Sequence, residues 1–323
     1  MTTLDDLVAL AQTSDQDSLD TKQLANLAEQ FESATPYGTR HNAKLDLIER
    51  LTGARLGLRG TGSCITIVQN YVYLIDLGIK DIGKFVERCP QVFGYDVAGN
   101  MRPMVGYLRG LGIKDIGKLV ERFPRVFGLN IAGNIQPKVD YLTSLGVKDI
   151  GKLVERFPQV FGYNVAGNIQ PKVEYLRGLG IKDIGRLVER FPQVLNLNIA
   201  GNIQPKVEYL QGLGIKDIGK LVKRFPHVFG YNVAGNIQPK VDFYLKQGYD
   251  IRHIEQFPAA FSYSMDKRIK PRFAFLKQLN RTPVGVSLAN ILSPSDKTFS
   301  KRFGGDEHTY RNFLAEYATR AAA

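Results

Sequence analysis

The chain has 323 residues, 44% hydrophobic and 23% charged, with 43 Lys and Arg against 31 Asp and Glu for a net charge of +12. This is the composition of a folded chain with a sizeable core, and its excess of bases points to a polyanionic partner, nucleic acid first. Its two cysteines, Cys64 and Cys89, cannot supply a disulfide framework, and no run approaches the roughly 18 apolar residues of a membrane-spanning helix.

Taken in chain order, the stretch 1–34 carries seven acids (Asp5, Asp6, Asp15, Asp17, Asp20, Glu29 and Glu32) against Lys22 alone, which leaves a strongly basic body. Residues 1–40 read as an acidic segment, either one or two short helices or a flexible tail. They show neither the apolar core of a secretory signal nor the Arg-rich, acid-poor pattern of an organelle presequence. Gly57, Gly60 and Gly62 form a glycine patch with no strand-then-helix pattern and no following Lys-Ser/Thr, so a plain loop is expected there rather than a phosphate cradle.

From residue 78 onward the sequence repeats itself. Gly78, Gly112, Gly146, Gly180, Gly214 and Gly248 keep a constant 34-residue spacing, and Pro90 and Pro103 start two proline series of the same period. Residues 79–248 are five near-identical units. A divergent sixth unit follows with Pro258, Pro271 and Asn280 in the corresponding places, and Ile65–Gly78 resembles the second half of a unit. Such an array buries each unit's apolar face only against its neighbours.

One unit, 113–146, shows the local physics. Ile113, Ile116, Leu119, Val120 and Phe123 share an arc of about 120°, opposite Lys114, Asp115, Lys118, Glu121 and Arg122, which predicts an amphipathic helix ended by Pro124. Val126-Phe127-Gly128 suits a buried turn of 3₁₀ helix. A second helix follows, capped by Asn130 or by Asn134; the later start leaves Pro137 in the first turn, the earlier one makes it a kink. Gly146 stands where a left-handed C-terminal cap belongs. The predicted fold is all-α, a superhelical solenoid of 34-residue units with two α-helices and a short 3₁₀ turn each. The array spans 41–280, with a C-terminal cap and tail over 281–323.

Two cation ladders stand out as candidate nucleic-acid contacts. Lys138, Lys172, Lys206 and Lys240, with Arg272 in the sixth unit, lie inside the apolar arc of the second helix, while Met104 holds that place in the first unit. They read either as stems that snorkel to water or as ammonium groups repeated along a groove to meet phosphates. On the charged arc of the first helix, Arg88, Arg122, Arg156, Arg190 and Arg224 read either as a solvated face or as forks for backbone phosphates. Tyr107, Tyr141, Tyr175 and Tyr209 read as inter-repeat packing ahead of base stacking. His41, His227, His253 and His308 are scattered without metal-ligand spacing or a triad, so no catalysis, cofactor or metal is expected.

The 34-residue unit with its Phe-Pro, its later Gln-Pro-Lys and its closing Leu-Gly resembles the mitochondrial transcription termination factor (mTERF) family over about 65–303. Within that span, Ser264–Arg272 is similar to the family's final L-E-K-R-I-K-P-R segment, and Ile291–Phe299 to its L-S-x-S-D-K-x-F ending. The resemblance implies a superhelix with a concave basic surface, to which Arg268 and Lys270 of the matched segment would add. It also implies double-stranded DNA as partner, with RNA as the alternative. The role implied is in mitochondrial or chloroplast transcription, particularly its termination, or in intron splicing or ribosome assembly. A monomer with no small-molecule substrate and no membrane attachment is expected. The 34-residue period also fits tetratricopeptide scaffolds, but a mid-unit Phe-Pro does not suit two unbroken helices and the basic body does not suit a protein-binding scaffold. A per-repeat reader of single-stranded RNA would use the variable places, such as Gln91, Arg125, Gln159, Gln193 and His227.

Overall fold

A computed structural model describes residues 3–15, 18–36, 40–53, 62–283 and 285–322, without the side chains of His41 and of 320–322. Gly57 and Gly60 of the glycine patch lie outside the described residues. Every regular element among the described residues is helical, and the fold is the all-α repeat solenoid that the 34-residue period predicts. Contacts divide the chain into two compact halves, Met1–Val165 and Ala166–Ala323.

Each unit has four pieces where the sequence predicts three. In 113–146 the first helix is Ile116–Arg122, followed by a 3₁₀ turn at Pro124–Gly128, a π turn at Ile131–Ile135 and the second helix at Gln136–Ser144. The first helix starts later than its apolar arc implies, because Asp115 caps it by accepting the Lys118 amide at 2.9 Å. Ile113 instead closes the preceding unit: its amide reaches Leu108 O and that of Gly112 reaches Arg109 O, with Gly112 at φ +86°. This is the Schellman arrangement, and the closing glycines from Gly78 to Gly248 all take positive φ. Asn280 does the same at +53° in the sixth unit.

The choice between Asn130 and Asn134 resolves in favour of Asn130, whose Oδ1 accepts the Gly133 amide at 2.6 Å. Pro137 stands in the first turn of the second helix, after a stretch in which the backbone widens. The Ile135 amide bonds back to Asn130 O and that of Gln136 to Ile131 O, an i→i−5 pattern in place of the α-helical one. This wider turn absorbs the carbonyl and ring that would otherwise collide.

The core of each unit is the 3₁₀ turn wedged between helices. Val126 and Phe127, like Val160, Phe161, Val228 and Phe229, are fully buried. Close stacking also explains a glycine that helix propensity alone disfavours. A Cβ on Gly219, inside the first helix Ile218–Arg224, would lie 2.7 Å from Gly180 O, in the loop that closes the unit two places back. Gly151 stands in the same relation to Leu111 O, at 2.5 Å.

The acidic N-terminus forms two helices, Thr3–Thr13 and Thr21–Ala34, which pack on Arg40–Thr52 and Cys64–Asp76. Leu7 and Leu24 are fully buried there, and Arg50 pairs with Asp5. Of the two options for this segment, helices rather than a loose tail are what these residues form. At the other end, Leu288–Leu292, Asp296–Phe303 and Glu307–Ala322 cap the sixth unit. Phe275, Phe299, Tyr310 and Phe313 form their aromatic core, with ring centroids 4.9–6.1 Å apart.

Candidate nucleic-acid interface

The lysines of the second helix do not snorkel. Lys138, Lys172, Lys206 and Lys240 are 5–7% exposed, and each donates to the asparagine one turn back. Lys138 Nζ lies 2.6 Å from Asn134 Oδ1 and 3.0 Å from Asn134 O; Lys206 Nζ lies 2.5 Å from Asn202 Oδ1. Lys240 reaches further, to Phe261 O in the next unit at 2.6 Å. Burial lowers the pKa of all four ammonium groups. Two flanking residues share the position. Asn70, fully buried, donates to Tyr95 O at 2.9 Å, and Met104 offers no donor. The series is an internal donor row that holds turns in place, so the groove-ladder expectation for these four lysines is corrected.

Arg272 is corrected for the same reason. It is 0% exposed, and its fork is committed to the C-terminal cap. Nη1 bonds Ile291 O at 2.6 Å and Leu292 O at 3.3 Å, while Nη2 bonds Pro294 O at 2.8 Å and Asp296 Oδ1 at 2.6 Å. The guanidinium also lies 4.5 Å from the Phe299 ring centre. This one side chain therefore ties the Lys-Arg-Ile-Lys-Pro-Arg segment to the Leu-Ser-Pro-Ser-Asp-Lys segment.

The arginines of the first helix are exposed but not idle. Arg122 donates to Glu155 O and, at 3.1 Å, to Arg156 O, the final carbonyls of the next first helix. Arg190 does the same to Lys223 O at 2.6 Å and Arg224 O at 3.3 Å, and Arg224 reaches Glu255 O at 3.1 Å. The glutamate before the arginine bonds in the opposite direction along the array: Glu121 accepts the Lys80 amide at 3.0 Å and Glu155 that of Lys114 at 2.9 Å. The solvated-face reading misses these bonds, since the V-E-R triplet clamps one unit to the next. Arg88 is exposed and makes none of them, and Arg156 is exposed as well.

What faces solvent is a different set of cations, which the sequence reading passed over. In the first half, Lys80, Lys84, Lys114, Lys118, Lys148 and Lys152 project from the first helices and the loops before them. In the second half, Lys182, Arg186, Lys216 and Lys220 hold the same places. Lys84 and Lys152 lean on the capping Asp81 and Asp149 at 3.3 and 3.0 Å, pairs so exposed that they immobilise little. Several of the second helices carry an acid, with Asp140, Glu174 and Glu208 each accepting from the glutamine one turn back, while Arg102, Arg109 and Arg177 are exposed bases on this set of helices. The signal was in the sequence as Lys-Asp-Ile-Gly-Lys, and burial was the missing discriminator.

Of the two residues taken from the matched C-terminal segment, Arg268 is half-buried over the Tyr263 ring at 5.4 Å, and Lys270 pairs with Asp266 at 2.7 Å. The mTERF family model matches residues 56–300 of this chain. The chain belongs to the mTERF family. Its members are in general organellar, nucleic-acid-binding helical-repeat proteins with transcription-related roles and no enzymatic activity. No curated protein matches the sequence. Arg272 joins the two segments on which the resemblance to mTERF proteins is most specific, so they act as a structural pair. Tyr107 meets the packing expectation in this mTERF chain, its hydroxyl donating to Gln136 Oε1 of the next unit at 2.9 Å. No helix among the described residues is long and apolar enough to cross a membrane.

Proposed function

We propose that this mTERF protein binds double-stranded DNA without catalysis and regulates organellar transcription, in a mitochondrion or a chloroplast, by holding a duplex where a polymerase must stop or start. The observation that carries the reading is the exposed cation row of the first helices, repeated in unit after unit, while the buried lysines are committed to internal bonds. A row of like charges that recurs once per unit suits a partner with regularly spaced phosphates and needs no base-specific contact. In this reading Lys114, Lys118 and Lys216 meet phosphates directly, and Arg88 adds to them. Arg122, Arg190 and Arg224 offer their outer edges while they clamp the units.

The test is fluorescence anisotropy of 20-nucleotide duplex DNA, duplex RNA and single-stranded RNA at several salt concentrations. Replacing Lys114, Lys118 and Lys216 by glutamine should flatten the log–log salt slope by about 2.7, at about 0.9 per lost phosphate contact. A preference for single-stranded RNA would move the reading to the exposed variable residues Gln91, Arg125, Gln159, Gln193 and His227. An absence of binding at low salt would sink it.

A further inference from the structure

In an array of near-identical units, the places where one unit departs from the others carry information. Two departures fall together. Arg186 stands where the other four units have Lys84, Lys118, Lys152 and Lys220, and Lys223 stands where they have Glu87, Glu121, Glu155 and Glu189. Both line one cavity of about 260 Å³ between the first helices Ile184–Arg190 and Ile218–Arg224. Lys182, Arg190 and Lys220 line it too, so five bases face two carboxylates, Asp183 and Asp217. Those two carboxylates are already engaged, capping helices through the Arg186 amide at 2.9 Å and the Lys220 amide at 2.7 Å.

The other junctions show what this place is shaped to hold. At Lys80 and Lys114 the backbone amide before the first helix donates to a carboxylate oxygen from the next unit. At Lys182 the residue that should supply that oxygen is Lys223, and the Lys182 amide has no acceptor among the described residues. Arg190 fixes the backbone of Lys223 through its carbonyl, and the Lys223 side chain lines the cavity. An N–H that is answered by an anionic oxygen at Lys80 and Lys114 is thus left open here and ringed by cations. One of these, Arg186, has the planar fork that matches a phosphate.

We propose that this cavity is an anion site for a phosphoryl group, whose oxygen takes the place the glutamate carboxylate fills in the sister units. The phosphate belongs either to a small phosphorylated molecule or to a nucleic-acid backbone, and only the second source rests on the duplex reading above. A water occupies about 30 Å³ of liquid, so the cavity holds a phosphate together with part of the molecule that carries it.

The experiment is calorimetric titration of the full chain with inorganic pyrophosphate, alongside anisotropy with the duplex. The wild type should bind one pyrophosphate. Lys223→Glu, which restores the glutamate of the sister units and so keeps the fold, should weaken binding at least tenfold without lowering the melting temperature. The converse pair, Lys118→Arg with Glu155→Lys, should create a second site in the other half. Loss of pyrophosphate binding with duplex affinity unchanged would assign the site to a small molecule; a parallel fall in duplex affinity would assign it to the nucleic-acid backbone. Pyrophosphate binding by a chain that binds no duplex would sink the duplex reading and leave the site standing. The proposal is overturned if the wild type takes up no pyrophosphate at low salt, if Lys223→Glu binds it equally well, or if the converse pair still binds one.

Discussion

Lys206→Met tests whether the buried lysines are braces or phosphate contacts, and the array already carries methionine at this place in Met104. The substitution removes charge-assisted bonds to Asn202 Oδ1 at 2.5 Å and Asn202 O at 3.2 Å, worth about 1.5–3 kcal/mol. It also relieves the burial of an ammonium, which costs several kcal/mol, while the apolar stem keeps its packing. The two effects nearly cancel, so Lys206→Met should stay within about 1 kcal/mol of the wild type. Asn202→Ala should cost about 1–3 kcal/mol, because it strands the ammonium with one acceptor fewer, and about 0.5 kcal/mol or less once Lys206 is methionine. Urea unfolding of the four proteins of this cycle measures that coupling, compared by midpoint because repeat arrays depart from two-state behaviour. The duplex salt slope of Lys172→Met with Lys206→Met should equal that of the wild type. A slope flatter by about 1.8 would refute the brace and return both ammonium groups to the phosphates.

Other outcomes follow from the geometry. Gly219→Ala pushes a Cβ to 2.7 Å from Gly180 O and should destabilise by about 1–3 kcal/mol, whereas Gly106→Ala meets open space inside a helix and should stabilise by about 0.5–1 kcal/mol; thermal unfolding separates the two. Arg272→Met leaves Asp296 and three carbonyls of the cap without their donor and should cost about 3–5 kcal/mol, with Arg272→Lys a poor rescue because it lacks the fork; urea midpoints read both. Burial raises the phenol pKa at Tyr244 and Tyr249 and pushes Tyr310 up to about 12. The stabilisation from these groups is whole below pH 10 and lost as pH rises beyond it, because the unfolded chain then ionises first. Absorbance at 295 nm should therefore show them ionising only with unfolding, and Tyr244→Phe should make the alkaline fall in stability shallower. Burial also drives the Cys64 thiol up to about 11, so a thiol reagent at pH 8 should leave it unmodified until the chain unfolds.

The fold was legible because it is periodic. The helix break at Phe123-Pro124, the 3₁₀ turn and the glycine caps each follow from a local rule repeated in every unit. The π turn was not legible, because Asn130 and Asn134 are both competent caps and only the packed backbone chooses between them. The interface was harder still. Lys138 and Lys118 are the same residue type at the same period, and helical phase gives only a direction from the axis. Whether that direction meets solvent depends on where the next unit lies, and the lysine of the candidate ladder is the buried one. Arg122 and Glu121 were legible as charges but not as clamps, since their partners are backbone atoms of other units, distant in the sequence.

Identical clamps have a consequence for assembly. The surface that Arg122 offers to Glu155 and Arg156 is reproduced by Arg190 for Lys223 and Arg224, so the arginine half of the clamp fits more than one docking site. Correct order cannot be encoded in such contacts, because a slip by one whole unit satisfies them just as well. Lys223 breaks the degeneracy inside the array, and the ends break it further: Asn70 and Met104 near one, Arg272 near the other, each a departure from lysine at the same buried place. These terminal residues work as bookends that fix the frame in which the interchangeable units are counted.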